Sequence, residues 1–265
     1  MKKRDVNRKA QVTVFIILAI VLVSAGGIAY FLTKNTSPTD KYFLQSDIKP
    51  GFDNIKNSVY ECMKMTSQDS LDVAGVQGGY YKQPKEFFDL GWAFIPYYYK
   101  EGTLLMPTNL QIQDQLSLYV DDNLNSCIES INVSDFGLSY TKPRTKTIIN
   151  KGEVKFTMDM PITVRKGDKT TQLQLKDNPI SIDSKLYEML EIAKFITENH
   201  GKDESVCLSC IEDMASERDL LIDMVNFDTS STLFVISTNK TLSSPPDFEF
   251  LNRYKPLTNL NDITI

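Results

Sequence analysis

The sequence predicts an α+β protein in which an N-terminal transmembrane helix is followed by an ectodomain of about four helices and an antiparallel sheet. Residues 12–32 form an apolar run without a charged side chain. Four later stretches repeat apolar residues at steps of three and four, and a region near residues 150–175 alternates apolar with polar residues. Because these helices and strands are grouped along the chain rather than strictly alternated, the class is α+β and not α/β.

The composition fits a folded chain whose exterior part is acidic. The 265 residues are 42% hydrophobic and 24% charged, which is typical of globular proteins. The first 40 residues hold six basic and two acidic side chains, so the rest of the chain carries an excess of nine acidic groups. Such a charge repels a phosphate backbone, and nucleic acid is therefore not an expected partner.

The apolar run at residues 12–32 has the length of a membrane span. At ~1.5 Å per residue it extends about 31 Å, close to the roughly 30 Å of a hydrocarbon core. The basic cluster in residues 1–11 predicts that this tail is cytoplasmic, that the helix contacts membrane lipid, and that the C-terminal domain is extracellular. The alternative is a secretory signal cleaved near Ala25, but the apolar run continues to Leu32, which favours a retained helix.

A third route of processing follows from a resemblance at the N-terminus. Residues 8–17, RKAQVTVFII, resemble the class III (type IV prepilin-like) signal of archaeal surface proteins. In that family a peptidase cuts just before a Gln-led apolar helix, so the resemblance implies cleavage between Ala10 and Gln11. The rest of the chain resembles archaeal membrane-anchored proteins with a Cys-bearing helix, a Gly-Gly-Tyr segment and a second Cys-bearing helix. This second resemblance implies no activity.

The residues after the membrane segment predict a tether and then a helix. Residues 33–50 include Pro38, Pro50 and several polar side chains, which is typical of an extended linker. An extracellular α+β domain then spans residues 51–265. It begins with a helix that ends before Gly75 and whose apolar stripe consists of Phe52, Ile55, Val59, Cys62 and Met63.

An aromatic stretch follows at residues 80–99. Its enrichment in Tyr, Phe and Trp, together with its glycines, favours short strands separated by turns. Aromatic rings with polar tips also suit contact with a sugar or a protein. The candidate binding surface therefore consists of Tyr80, Tyr81, Trp92, Tyr97, Tyr98 and Tyr99. The alternative is that these rings fill the core, because large apolar areas are usually buried.

A second helix and a strand-rich region come next. Thr108 can cap a helix whose apolar face extends over residues 112–131. Apolar and polar residues then alternate over residues 154–175, and turn signals occur at residues 150–152 and 166–168. This pattern predicts an antiparallel meander.

The last third of the chain predicts two more helices and two late strands. A third helix begins near Leu186 and ends near Gly201, and a fourth extends over about residues 211–225. The late strands occupy residues 232–236 and 248–250.

All four cysteines follow the membrane segment, on the side where an oxidising environment favours disulfides. Cys62 and Cys127 each lie late on the apolar stripe of a predicted helix, so side-by-side packing of the two helices would allow a bond between them. Unpaired core thiols are the alternative. Cys207 and Cys210 form a Cys-x-x-Cys pair just ahead of a helix, which is open to four interpretations: a structural disulfide, free thiols, a redox pair or part of a metal site.

The single histidine limits the chemistry that the chain can perform. His200 lies at a predicted helix end, where a solvated or capping side chain is usual, and any Ser-His-Asp or Cys-His arrangement would have to use it. No phosphate-binding glycine loop, zinc-protease motif or Gly-x-Ser-x-Gly motif occurs. We therefore predict no catalytic residue, no cofactor and no metal, with paired carboxylates left open as hydrolase groups.

These observations favour a membrane-anchored surface or envelope protein with a binding or structural role and with a protein or glycan as its partner. One alternative is a pilin-like subunit that is cleaved before Gln11 and assembles through its apolar helix. Another is a tethered hydrolase that uses carboxylates. The oligomeric state does not follow from the sequence.

Overall fold

Four α-helices form in the residues that the computed structural model describes, which are 52–131, 136–203, 207–238 and 247–254. They are α1 (Phe52–Val76), α2 (Asn109–Glu129), α3 (Leu186–Asp203) and α4 (Leu208–Ser216). All belong to one compact unit, Pro50–Ile265. At the start of α2, the Thr108 hydroxyl accepts from the Gln111 N–H, and the Gln111 side chain accepts from the Thr108 N–H. This capping box is why α2 begins at the residue that the sequence indicates.

Twelve strands accompany the helices in the part of the chain that the structure describes. They are β1 (Phe87–Asp89), β2 (Phe94–Lys100), β3 (Thr103–Leu104), β4 (Gly137–Tyr140), β5 (Arg144–Asn150), β6 (Glu153–Asp159), β7 (Pro161–Lys166), β8 (Lys169–Gln174), β9 (Ile180–Asp183), β10 (Leu220–Asn226), β11 (Ser231–Thr238) and β12 (Phe248–Arg253). The largest sheet has the order β1-β2-β12-β11-β10, and β3 also pairs with β2. The two smaller sheets have the orders β4-β7-β8 and β5-β6-β9.

The predicted fold class includes a membrane-spanning helix, and this part of the prediction is wrong. Among the described residues, no helix has both the length and the apolar character needed to cross a membrane. Helices α1 and α2 have 25 and 21 residues, but charged side chains interrupt each of them, such as Glu61 and Lys64 in α1 and Asp121 and Asp122 in α2. The predicted tail, span and tether, residues 1–50, lie outside the described residues. Over the described ranges the structure shows an α+β fold with four helices and mixed sheets.

The prediction that the strands form one antiparallel sheet is also wrong. The strands divide among three sheets, and β12 pairs with β2 in parallel, with Leu251 beside Tyr97. A parallel pair between strands so far apart in sequence is a non-local contact that periodicity does not encode.

The predicted meander forms two separate hairpins. They turn at Gly152 and Gly167, both with positive φ, as the turn signals indicate. The two hairpins lie in different sheets, and the break between them falls where β6 ends at Asp159 and β7 begins at Pro161. Proline has no N–H to donate to a continuing ladder, so the strand register breaks there.

The fourth helix is shorter than predicted. Helix α4 ends at Ser216, and Asp219 adopts a positive φ of 51° where the chain reverses. Residues 220–226 then form β10, which pairs with β11 along its whole length. A short apolar run fits either a helix or a strand, and here the partner strand decides.

Helix α2 lies along β5, which is an edge strand of its sheet. Side chains spaced four apart on α2 accept hydrogen bonds from backbone N–H groups spaced two apart on β5. Four helical residues rise about 6 Å and two strand residues span about 6.6 Å, so the two spacings match. The pairs are Gln113 with Ile149 (3.0 Å), Ser117 with Thr147 (3.1 Å) and Asp121 with Thr145 (2.8 Å).

One main hydrophobic core joins the helices to the inner face of the large sheet. Its wholly buried side chains include Ile55, Val59, Met63, Ile112, Leu116, Tyr98, Phe234 and Phe250. A smaller cluster of Ile95, Tyr97 and Leu251 lies on the other face of that sheet. The large sheet therefore has one face in the main core and one face that is only partly covered.

Helix α1 leads into two glycines with positive φ, Gly78 and Gly79. A Cβ on Gly79 would lie 2.8 Å from Ile112 Cγ1, whereas Gly152 has a similar φ of 81° and nothing within 4 Å of its Cβ position. Gly79→Ala should therefore lower the free energy of unfolding by about 2–3 kcal/mol, because steric overlap adds to backbone strain, and Gly152→Ala by only about 1 kcal/mol. Urea denaturation measures both, and equal losses would contradict the close packing.

Candidate functional site

A pocket of about 430 Å³ lies beside β2. Strand β12 occupies one edge of β2, so β1 and β3 share the other, with β1 paired near Phe94 and β3 paired near Lys100. The pocket opens at the middle of that edge, between the part of β2 that pairs with β1 and the part that pairs with β3. It is lined by Tyr80, Pro84, Lys85, Glu86, Tyr97, Lys100, Thr103 and Leu105.

Backbone hydrogen bonds hold the lining segments against β2. The Tyr97 N–H donates to the Glu86 carbonyl at 3.1 Å, and the Leu105 N–H donates to the Tyr98 carbonyl at 2.7 Å. These bonds continue the sheet edge beyond β1 and β3. The walls of the pocket are therefore tied by backbone hydrogen bonds to β2, an interior strand of the large sheet.

A two-residue turn brings Thr103 to the pocket. Glu101 and Gly102 both have positive φ, 50° and 101°, which suits the tight turn between β2 and β3. The Glu101 N–H donates to the Arg253 carbonyl at 2.8 Å, and the Glu101 carboxylate lies 3.3 Å from the Arg253 guanidinium. This anchoring to β12 holds a non-glycine residue in an unfavourable backbone region.

An ion pair lies in the pocket next to an aromatic ring. The Lys100 ammonium donates a short hydrogen bond to the Glu86 carboxylate and lies 5.3 Å from the centre of the Tyr97 ring. The hydrogen bond from Lys100 and the charges of Lys100 and Lys85 lower the pKa of Glu86. Glu86 is therefore ionised at neutral pH, and the pocket offers cationic donors and an anionic acceptor side by side.

Tyr80 forms the wall nearest to α1. Its N–H donates to the Gln77 carbonyl at 3.0 Å, and the Gln77 side-chain amide donates to the Tyr80 carbonyl at 3.0 Å. Burial raises the pKa of Tyr80, so its phenol keeps its proton at neutral pH. Tyr80 thus adds a neutral hydroxyl to the charged groups of the pocket.

The aromatic residues predicted as a binding surface do not form one surface. Tyr80 and Tyr97 line the pocket. Tyr98 is wholly buried on the opposite side of β2, where its ring stacks on Phe250 with 4.6 Å between ring centres. Tyr99 is half-buried, and its ring centre lies 6.1 Å from that of Tyr254.

Tyr81 and Trp92 lie in two other environments. The Tyr81 ring packs edge-on against Tyr119 on α2, with 5.0 Å between ring centres, and the Lys82 ammonium lies 3.9 Å from the centre of the Tyr81 ring. Trp92 is 80% exposed in the turn between β1 and β2. The alternation between Tyr97 and Tyr98 on β2 and the position of Trp92 in the turn after β1 separate these residues.

Sequence reasoning missed every pocket residue other than Tyr80 and Tyr97, namely Pro84, Lys85, Glu86, Lys100, Thr103 and Leu105. Gly102 was a usable turn signal, because a glycine two residues after an aromatic strand favours a tight hairpin. No local signal showed that β1 and β3 would pair with the same edge of β2.

The predicted cysteine candidates form two disulfides. Cys62 on α1 joins Cys127 on α2, with 5.7 Å between Cα atoms, and Cys207 joins Cys210, with 5.3 Å between Cα atoms. The predicted processing residues, Ala10 and Gln11, lie outside the described residues.

Two further predictions concern His200 and metal binding. His200 lies within α3, close to its end at Asp203. Within the ranges that the structure describes, no group of three His, Cys, Asp or Glu side chains is placed to hold a metal ion.

The fold and site together define an α+β protein with two disulfides and an open pocket that combines tyrosine rings with a Lys–Glu pair. Comparisons with protein-family models, curated proteins and solved structures find no match for this chain.

Proposed function

We propose that the chain is an exported surface or envelope protein that binds a glycan, without transforming it, in the pocket at the β2 edge. The observation that carries this proposal is the Lys100–Glu86 pair beside the Tyr97 ring. A sugar ring presents C–H faces that pack on aromatic rings, and the half-buried Tyr80 is the ring that the pocket offers for this contact, since Tyr97 is only 7% exposed. Sugar hydroxyls both donate and accept hydrogen bonds. Adjacent ammonium and carboxylate groups match those hydroxyls, since one only donates and the other only accepts.

The two disulfides support a location outside the cytoplasm. Cys62–Cys127 and Cys207–Cys210 include all four cysteines of the chain. Disulfides form and persist mainly in oxidising compartments, because cytosolic reductants keep thiols reduced. Surface and envelope proteins meet glycans in that same environment.

The carboxylates of the pocket favour binding over hydrolysis. Glycoside hydrolysis uses a pair of carboxyl groups, one of which protonates the leaving oxygen. Among the described lining residues Glu86 is the one carboxylate, and the lowered pKa that Lys100 causes makes it a poor proton donor at neutral pH.

Replacing Lys100 with alanine should weaken glycan binding about ten-fold or more, because a charge-assisted hydrogen bond contributes roughly 1.5–3 kcal/mol. Lys142→Ala is the matched control, since Lys142 also pairs with a carboxylate, at 2.9 Å from Asp122, but lies outside the pocket. The purified full chain would first be screened on immobilised glycans, and the strongest binder would then be titrated by calorimetry. Failure of the wild-type chain to bind any glycan, or equal weakening by both variants, would contradict the proposal.

A further inference from the structure

The two disulfides lie in contrasting environments. Cys62–Cys127 links residues 65 apart in sequence, and Cys62 is 5% exposed in the main core. Cys207–Cys210 links residues three apart, and Cys207 is exposed. A bond that closes so short a loop constrains the unfolded chain much less than a bond between distant helices. The exposed position of Cys207 also favours approach by a thiolate from another molecule.

The surroundings of Cys207 favour a reactive sulfur. Cys207 is the N-cap of α4, a helix of nine residues, and the Cys210 N–H donates to Cys207 Sγ at 3.3 Å. The Ser209 hydroxyl lies 3.7 Å from the same sulfur. Donors at a helix N-terminus stabilise negative charge, so they stabilise Cys207 as a thiolate once the disulfide is opened.

The neighbours of the pair indicate how a partner would approach. Leu208, between the two cysteines, is 53% exposed and offers an apolar contact. Glu212 and Asp213 are exposed on the next turn of α4. Their charges partly oppose thiolate formation, and they complement a partner that carries basic side chains near its thiols.

We propose that Cys207–Cys210 is a redox-active disulfide that oxidises an exported dithiol polypeptide in one stoichiometric turnover. A thiolate of the partner attacks Cys207 Sγ, the bond to Cys210 breaks, and its electron pair leaves on Cys210 Sγ, which takes up a proton. The second partner thiolate then attacks the partner's own sulfur in the mixed disulfide and releases Cys207 as a thiolate. In total two electrons and one proton pass to the Cys207–Cys210 pair, the second proton of the partner dithiol goes to solvent because Cys207 stays a thiolate, and the partner leaves with a disulfide.

The wild-type full chain tests the difference between the two disulfides. The oxidised chain would be mixed with one equivalent of dithiothreitol, quenched with acid, alkylated and mapped by peptide mass spectrometry. We expect at least about ten-fold more alkylation at Cys207 and Cys210 than at Cys62 and Cys127, because exposure and thiolate stability control exchange. Equal alkylation of the two pairs, or preferential alkylation of Cys62 and Cys127, would overturn the proposal.

A matched pair of variants tests which sulfur reacts. Cys210→Ser leaves the Cys207 thiol, and Cys207→Ser leaves the Cys210 thiol, so both variants lack the same disulfide. With glutathione disulfide as the probe, the Cys207 thiol should form a mixed disulfide about ten-fold faster than the Cys210 thiol, because it is the sulfur that the α4 N-terminus stabilises. Equal rates, or faster reaction at Cys210, would rule out attack at Cys207. Neither experiment depends on glycan binding.

Discussion

Replacing both Cys62 and Cys127 with alanine should lower the free energy of unfolding by about 4 kcal/mol. The bond joins residues 65 apart, so its loss returns a large loop-closure entropy to the unfolded chain. It also connects α1 and α2, whose apolar stripes supply much of the main core. Urea denaturation in non-reducing buffer measures the change against the wild-type chain.

The matched control is Cys207→Ala with Cys210→Ala. Those residues are three apart, so the same entropy relation predicts a loss of about 2 kcal/mol or less. The variant also removes two cysteines, which keeps the number of substitutions equal. If the two double variants lost the same stability, the Cys62–Cys127 bond would not be the main covalent support of the fold.

Tyr98→Ala should lower the free energy of unfolding by about 3–5 kcal/mol, the usual range for deleting a large aromatic side chain from a core. Tyr98 is wholly buried, its ring stacks on Phe250, and its hydroxyl donates to the Gly78 carbonyl at 2.8 Å. The side chain therefore ties β2, an interior strand of the large sheet, to the turn after α1. Thermal and urea unfolding would both report its loss.

Two further variants divide this effect into its parts. Tyr98→Phe keeps the ring and removes the hydroxyl, so it should lose about 1–2 kcal/mol, mainly from the unpaired Gly78 carbonyl. Tyr99→Ala alters the half-buried residue next to Tyr98 and should lose less than Tyr98→Ala, because less apolar area is removed from burial. A larger loss for Tyr99→Ala would contradict the assignment of Tyr98 to the main core.

The helices with long apolar stripes were predictable from local pattern. Ile55, Val59 and Met63 recur at helical spacing and are all wholly buried on α1. Thr108 caps α2, which begins at Asn109, because its hydroxyl and the Gln111 side chain satisfy backbone groups within the same turn. Both features depend on residues within a few positions of each other, so they can be read without knowledge of the fold.

The pocket was predictable only in part. The aromatic enrichment pointed to the segment that contains Tyr80 and Tyr97, but the same pattern also included Tyr98, which faces the core, and Trp92, which projects from a turn. Membership of the pocket depends on which side of β2 each ring occupies and on what pairs with its edge. Side-chain alternation could separate Tyr97 from Tyr98, but could not say which face was covered.

Local periodicity, capping and turn residues were sufficient to locate three of the four helices, the Thr108 cap and the turns at Gly152 and Gly167. Tertiary structure alone decided that residues 220–226 would be a strand, that β12 would pair with β2 in parallel, and that β1 and β3 would share one edge of β2. The physical reason is that a helix satisfies its backbone within its own segment, whereas a strand needs a partner from elsewhere in the chain. The pocket depends on that non-local pairing, so it follows from the folded sheet and not from any one segment.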